Sequence, residues 1–258
     1  MKKALLAVSL GTSVPKAREG IAAVEAALKA QAPELDFYRA FTSPKIRAIW
    51  EKRGESIPDL AGALERLGAL SYEQVFVQPT HLLYGFEYDK VKETTECFAG
   101  SFSRLVLGKP LLSESEDLLR LAAEAQAYPR QAGEALVWLG HGTDHFANMV
   151  YPALQTALHL AHIESAFVGT VEGWPAFEDV LSELRASGCR SVLLAPLMLV
   201  AGDHALNDMA GDAPESWKSR LEAAGFSVCC AMEGLGLHPG IQNLYRDHLK
   251  ALVEPYGV

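Results

Sequence analysis

Ala135-Leu136-Val137-Trp138-Leu139-Gly140-His141-Gly142-Thr143-Asp144-His145 changes character at residue 140. The run before it is apolar and too short for a helix, which predicts a strand buried in a sheet. Gly-His-Gly then predicts a turn in which the backbone can take positive φ beside a bound group. Thr143 or Asp144 is expected to cap a helix beginning near Phe146. His141 would thus stand just past the carboxyl end of a strand, where open α/β sheets hold their ligands. With glycine on either side, its imidazole would be open to a ligand or a metal.

Outward from this stretch, strand-like and helix-like runs alternate along the whole chain, which predicts βαβ units and a mainly parallel sheet. Before it, strands are expected at 4–10, 35–41, 74–78 and 105–107. The intervening helices are expected at 13–30, opened by Ser13 and Pro15, at 45–53, 58–69 and 86–99, and from a cap at Ser113 to Ala127. After it, strands are expected at 165–170, 191–195 and 226–231, with helices at 146–161, 175–186 and 239–253 and a loop-helix region ending at Ala224. Both halves therefore run through the same series of elements.

The repeat also shows in residues. Ser9-Leu10-Gly11-Thr12 stands opposite Gly140-His141-Gly142-Thr143. Gln78-Pro79-Thr80-His81-Leu82-Leu83-Tyr84-Gly85-Phe86-Glu87 stands opposite Ala195-Pro196-Leu197-Met198-Leu199-Val200-Ala201-Gly202-Asp203-His204. Two such pairings in the same order point to duplication. The expected organisation is an amino-terminal α/β lobe over 1–128 and a carboxy-terminal one over 129–258, with a cleft between them.

Composition bounds what such a molecule does. The 258 residues carry 49% hydrophobic side chains, enough for a real core, and a net charge of −9. That charge argues against nucleic acid or an anionic membrane surface as a partner. The opening Met-Lys-Lys-Ala-Leu-Leu-Ala-Val-Ser-Leu-Gly faintly resembles a signal peptide, but it leads straight into Gly-Thr-Ser and reads as the first strand. No stretch approaches the ~18 apolar residues of a membrane span. Cys97, Cys189, Cys229 and Cys230 show no CxxC spacing, so reduced structural thiols and a cytoplasmic protein are expected. GxSxG, GxGxxG and HExxH are absent, which removes the common hydrolase, dinucleotide and metalloprotease readings.

In the second lobe each of the first three strands ends in a loop bearing one exposed polar residue: His141, Glu172 and His204. In a parallel sheet these loops share one edge. Two imidazoles and a carboxylate there make a three-ligand site for a borderline divalent metal, with positions left open for water or substrate. The alternatives are ordinary ones: a histidine at a strand end can be a hydrogen-bonded cap, and Glu172 a helix-start carboxylate favoured by the dipole. The first-lobe residues opposite His141 and His204 are Leu10 and Glu87, so a metal site would belong to one lobe. His145 beside Asp144 offers a rival local site, against a simple helix-start role. His159, His162, His238 and His248 fall on helix-like stretches and are expected at the surface or in packing.

Leu-Gly-His-Gly-Thr-Asp-His, Gly-Thr-Val-Glu-Gly-Trp-Pro and Ala-Pro-Leu-Met-Leu-Val-Ala-Gly-Asp-His-Ala-Leu-Asn-Asp-Met resemble the anaerobic sirohydrochlorin cobalt chelatases. Ala-Val-Ser-Leu-Gly-Thr-Ser and Pro-Thr-His-Leu-Leu-Tyr-Gly-Phe-Glu-Tyr-Asp fit the amino-terminal lobe of that family, and the likeness runs nearly end to end. It implies two flavodoxin-like lobes and insertion of Co²⁺ into sirohydrochlorin on the way to cobalamin, with no organic cofactor. The metal ligands it implies fall on His141, Glu172 and His204. Neutral imidazoles, whose ordinary pKa is near 6.5, can both bind Co²⁺ and take up pyrrole protons. Glu87 is a candidate second metal contact or proton acceptor, or else a solvated helix-start carboxylate. The amides of Gly11, Thr12 and Ser13 could hold carboxylate arms of the tetrapyrrole, or form only a tight turn with Ser13 as N-cap. Tyr84, with Phe86 and Trp174, could line an apolar ring pocket, or pack in the core. Rival readings are a chelatase for Fe²⁺ or Ni²⁺ and a carrier that binds metal or tetrapyrrole without turnover. A homo-oligomer stays open.

Overall fold

The computed structural model describes residues 2–258. It contains two four-stranded sheets, and every strand pair in both is parallel. The first sheet has the order β2-β1-β3-β4, from β1 (Lys3–Ser9), β2 (Asp36–Phe41), β3 (Gln74–Pro79) and β4 (Arg104–Leu107). The second has the order β6-β5-β7-β8, from β5 (Glu134–Gly140), β6 (Ala166–Thr170), β7 (Ser191–Pro196) and β8 (Ser227–Cys230). These are the same topology twice, as the repeat predicts. Central strands covered on both faces must be apolar throughout, and Ala135–Leu139 and Ala4–Val8 are buried without a break.

The helices are α1 (Arg18–Gln31), α2 (Pro44–Lys52), α3 (Leu60–Ala69), α4 (Phe86–Cys97), α5 (Ser115–Glu124), α6 (Val150–Leu160), α7 (Phe177–Ser187), α8 (Trp217–Ala223) and α9 (Pro239–Val253). Ser43 caps α2, with Pro44 in the first turn. Other starts differ from expectation. Helix α1 begins at Arg18 rather than Ser13, because the Thr12 hydroxyl takes the Val14 amide and residues 14–17 form turns first. At α5 it is Glu114, reciprocally bonded with Asp117, that closes the capping box, not Ser113. His162 and His238 lie just outside α6 and α9, the latter stacked on Tyr128.

Two compact units emerge that do not follow the covalent halves. One comprises the residues before Glu114 together with Ile241–Val258, and the other Glu114–Gly240. Helix α5 lies along α6 and so belongs with the second sheet, ahead of the boundary at 128 drawn from the sequence. Helix α9 belongs with the first: Tyr245 donates from its hydroxyl to the Thr80 carbonyl at 2.6 Å, and Arg246 Nε to Gln31 Oε1 at 3.3 Å. In the first unit Leu6, Val8, Leu64 and Val77 centre the main core. In the second Val137, Leu139, Leu184 and Leu194 do so. All four cysteines are free thiols.

Candidate metal centre

Strand β5 ends at Gly140, and its ladder continues into the loops. Val171 donates its amide to the Gly140 carbonyl at 3.0 Å, and Glu172 to the His141 carbonyl at 2.7 Å. These two bonds set Glu172 beside His141 although 30 residues separate them in sequence. The approach requires a glycine next to His141. Gly142 has φ +82°, and a Cβ there would stand 2.7 Å from the Glu172 carbonyl carbon. Asn148 braces both loops, accepting from the Thr143 amide at 3.1 Å and donating to the Trp174 carbonyl at 2.7 Å. On the other side of β5, Leu197 donates to the Leu139 carbonyl at 2.8 Å, fixing the start of the loop that leads to His204.

The three predicted side chains come together at this edge. His141 Nε2 lies 4.0 Å from Glu172 Oε2, and the His141 and His204 rings meet edge to face with centroids 4.3 Å apart. Among the described residues no three His, Cys, Asp or Glu side chains stand grouped closely enough to hold a metal ion as they are placed. The trio is an open arrangement, with His141 and His204 half-exposed and Glu172 exposed. Both histidines have Nδ1 engaged: His141 with the Gly142 carbonyl at 2.8 Å and His204 with Asp208 Oδ2 at 2.7 Å. Carbonyl and carboxylate oxygens only accept, so Nδ1 is the donor in both bonds, and in the neutral ring this leaves the lone pair on Nε2. Asp208 was not among the residues the sequence singled out, although its place four after His204 is the spacing of facing side chains on a helix.

His145 is not a ligand of this kind. Its Nδ1 accepts the Ala147 amide at 3.0 Å, so it, rather than Thr143 or Asp144, caps the 3₁₀ turn Phe146–Met149 that precedes α6. Thr143 instead accepts from the His145 amide.

The first-unit candidates are placed as follows. Gly11 has φ +92°, and a Cβ there would stand 2.7 Å from the Phe41 ring. Thr12 is buried, and its carbonyl takes a 2.7 Å bond from Trp50 Nε1. The Ser13 carbonyl takes one from Arg53, also 2.7 Å, so Ser13 sits in a tied turn rather than capping α1. Tyr84 and Phe86 are exposed, as is Trp174 in the second unit, and Tyr84 meets Tyr88 edge to face at 4.9 Å. Glu87, in the first turn of α4, accepts from Thr42 Oγ1 at 3.0 Å and pairs with Lys90. Burial pushes its carboxyl up, but these bonds and the charge of Lys90 outweigh it and hold the group below the ordinary range. His81 is half-buried as a residue, yet both ring nitrogens are shut off from solvent and unpaired. Burial lowers its pKa to about 4, with the Glu87 charge opposing, so it is neutral at physiological pH.

Against this geometry, a family model described as Cobalt chelatase (CbiK) matches residues 3–254. The chain belongs to the cobalt chelatase family. Among its relatives, the sirohydrochlorin cobaltochelatase of Salmonella typhimurium is 41% identical over 253 residues, covering 96% of each chain. The sirohydrochlorin cobaltochelatase CbiKC of Nitratidesulfovibrio vulgaris is 32% identical, covering 98% of this chain and 91% of its own. A solved structure of SirB from Bacillus subtilis with Fe³⁺ matches with a TM-score of 0.67 at 18% identity, over 100% of this chain and 98% of that one. A second SirB structure, in complex with cobalt, matches with a TM-score of 0.64 at 17% identity. At that identity the SirB structures speak for the fold and not for the site. No helix among the described residues is long and apolar enough to cross a membrane.

Proposed function

We propose that this member of the cobalt chelatase family is a sirohydrochlorin cobaltochelatase, which inserts Co²⁺ into the macrocycle for cobalamin synthesis. The observation that carries the reading is the convergence of His141, Glu172 and His204 from three successive strand ends of one sheet. Co²⁺ is a substrate here, held briefly and given up. Two Nε2 lone pairs and one carboxylate suit a borderline ion, and three protein ligands leave positions for water and incoming pyrrole nitrogens. As the ion passes to the ring, two pyrrole N–H bonds break and two protons leave. Neutral imidazoles, once relieved of the metal, can accept them. Glu87, kept charged by Thr42 and Lys90, is proposed as a further proton acceptor. The Gly11-Thr12-Ser13 turn and Tyr84 are proposed to contact the tetrapyrrole, the turn through its amides and the tyrosine through its exposed ring.

The test is an ultraviolet-visible time course of sirohydrochlorin with excess Co²⁺ and catalytic protein. Many turnovers per protein molecule are expected. Saturation after one equivalent would instead identify a carrier, and faster turnover with Fe²⁺ or Ni²⁺ would reassign the metal.

A further inference from the structure

After β7 the chain enters a π-helical turn, Ala205–Met209, closed by a bond from the Ala210 amide to the Ala205 carbonyl at 3.1 Å. Ala205 and Met209 are buried and fasten this turn to the core, while Asp208 faces outward with His204. We propose that Asp208 is the positioning residue of His204, fixing its imidazole as the Nδ1–H tautomer so that Nε2 is presented to a divalent cation. The inference rests on the metal role assigned above to His141, Glu172 and His204.

Three observations support it. The Nδ1–Oδ2 separation is 2.7 Å, and the Asp208 side chain makes no other bond among the described residues. Its neighbour Asp203, which could compete for the same imidazole, is already engaged by Asn207 Nδ2 at 3.1 Å. And the histidines divide by the atom they commit. His141 and His204 use Nδ1 as donor and keep Nε2, whereas the capping His145 uses Nδ1 as acceptor. His141 gets its tautomer from a neutral carbonyl of its own loop, but His204 gets it from an anion. An anionic partner on Nδ1 raises the donor strength of Nε2 as well as orienting the ring, and losing such a partner typically costs about 10–100-fold in metal affinity. Without it, the half-exposed His204 would be free to rotate and to populate the Nε2–H form, which has no lone pair to offer there.

The test compares D208A, D208N and H204A with the parent by Co²⁺ titration, the visible spectrum of the Co²⁺ complex, and ¹⁵N-detected tautomer assignment without metal at about pH 8, above the ordinary histidine range. The parent should show His204 as Nδ1–H. D208A should lose roughly 10–100-fold in Co²⁺ affinity with an altered spectrum and a mixed tautomer. D208N, which keeps an oxygen acceptor but not the charge, should retain the tautomer and lose less. A parent already in the Nε2–H form overturns the inference even if D208A fails to fold, and so does parent-like Co²⁺ binding by D208A. If H204A itself binds Co²⁺ like the parent, the metal reading has failed. If H204A loses binding and D208A does not, only the role of Asp208 has.

Discussion

In the first unit Thr42 donates its amide to the Ser9 carbonyl and Ser43 to Leu10, at 2.9 and 3.3 Å. In the second, Val171 donates to Gly140 and Glu172 to His141, at 3.0 and 2.7 Å. The parallel goes further: Thr80 to Val8 answers Leu197 to Leu139, both 2.8 Å, and Leu111 to His81 answers Leu235 to Met198. Gly11 and Gly142 hold the same bend with φ of +92° and +82°. The backbone at this sheet edge is thus built twice, and the side chains that hang on it differ. Where the second unit places His141, Glu172 and His204, the first places Leu10, the capping Ser43 and Glu87. On the metal role proposed above, three side chains at three equivalent strand ends would account for the difference between the units.

The largest effect should come from erasing that difference. H141A or H204A removes a soft nitrogen donor and a proton acceptor, while exposed side chains at loop positions contribute little to the fold. Cobalt insertion should fall by about 10²-fold or more, with the thermal unfolding curve nearly unchanged. Near-parental insertion by either variant would mean that the histidines of the second unit are not what sets it apart.

A second test uses the position where the first unit has the imidazole. His81 corresponds to Met198, and its two ring nitrogens are buried without partners. Native His81 stays neutral down to about pH 4, whereas in the unfolded chain it takes a proton below about 6.5. The folded state thus holds its full stability above that value and loses it as pH falls towards 4, by about 3 kcal/mol at most. H81M, which gives the first unit the residue of the second, should flatten this window in urea denaturation series. The carboxylate of Glu87, held below its ordinary range, contributes a separate loss at still lower pH. An equal pH dependence of H81M and parent between about 4 and 6.5 would show that burial does not suppress protonation there.

The two parallel sheets and the place of His141 at a strand end were legible in the sequence, because buried parallel strands read as unbroken apolar runs and Gly-His-Gly announces its own turn. The repeat also pairs Leu10 with His141, as the strand-end bonds do. What stayed hidden was set by partners distant in sequence or by competing caps. Nothing in the periodicity of α5 or α9 says which sheet each will cover, so the compact units could not be drawn at the right residues. His145, Thr143 and Asp144 all offer cap oxygens or nitrogens, and only the loop geometry selects His145. Asp208 sits at a spacing that could have been noticed, but whether two residues four apart face each other depends on a helical turn there, which a short segment after Gly202 does not advertise.

The smallest predicted effect separates the two units by what props their loops. The Gly142 amide donates to the buried hydroxyl of Tyr151 at 3.2 Å, and the Thr12 carbonyl accepts from Trp50, against which the Arg18 guanidinium stacks at 4.4 Å. Y151F and W50F each leave one backbone group without its buried partner, at a cost of about 1–2 kcal/mol in stability. Their functional signatures should differ. Y151F loosens the loop that carries His141 and should weaken Co²⁺ binding a few-fold. W50F loosens only the Gly11-Thr12-Ser13 turn and should leave Co²⁺ binding alone while raising KM for the tetrapyrrole. Isothermal titration with Co²⁺, set beside steady-state kinetics in sirohydrochlorin, reads the two apart. A W50F variant that lost Co²⁺ affinity would break the assignment of metal to one unit, because Trp50 and the Thr12 carbonyl it props both belong to the first.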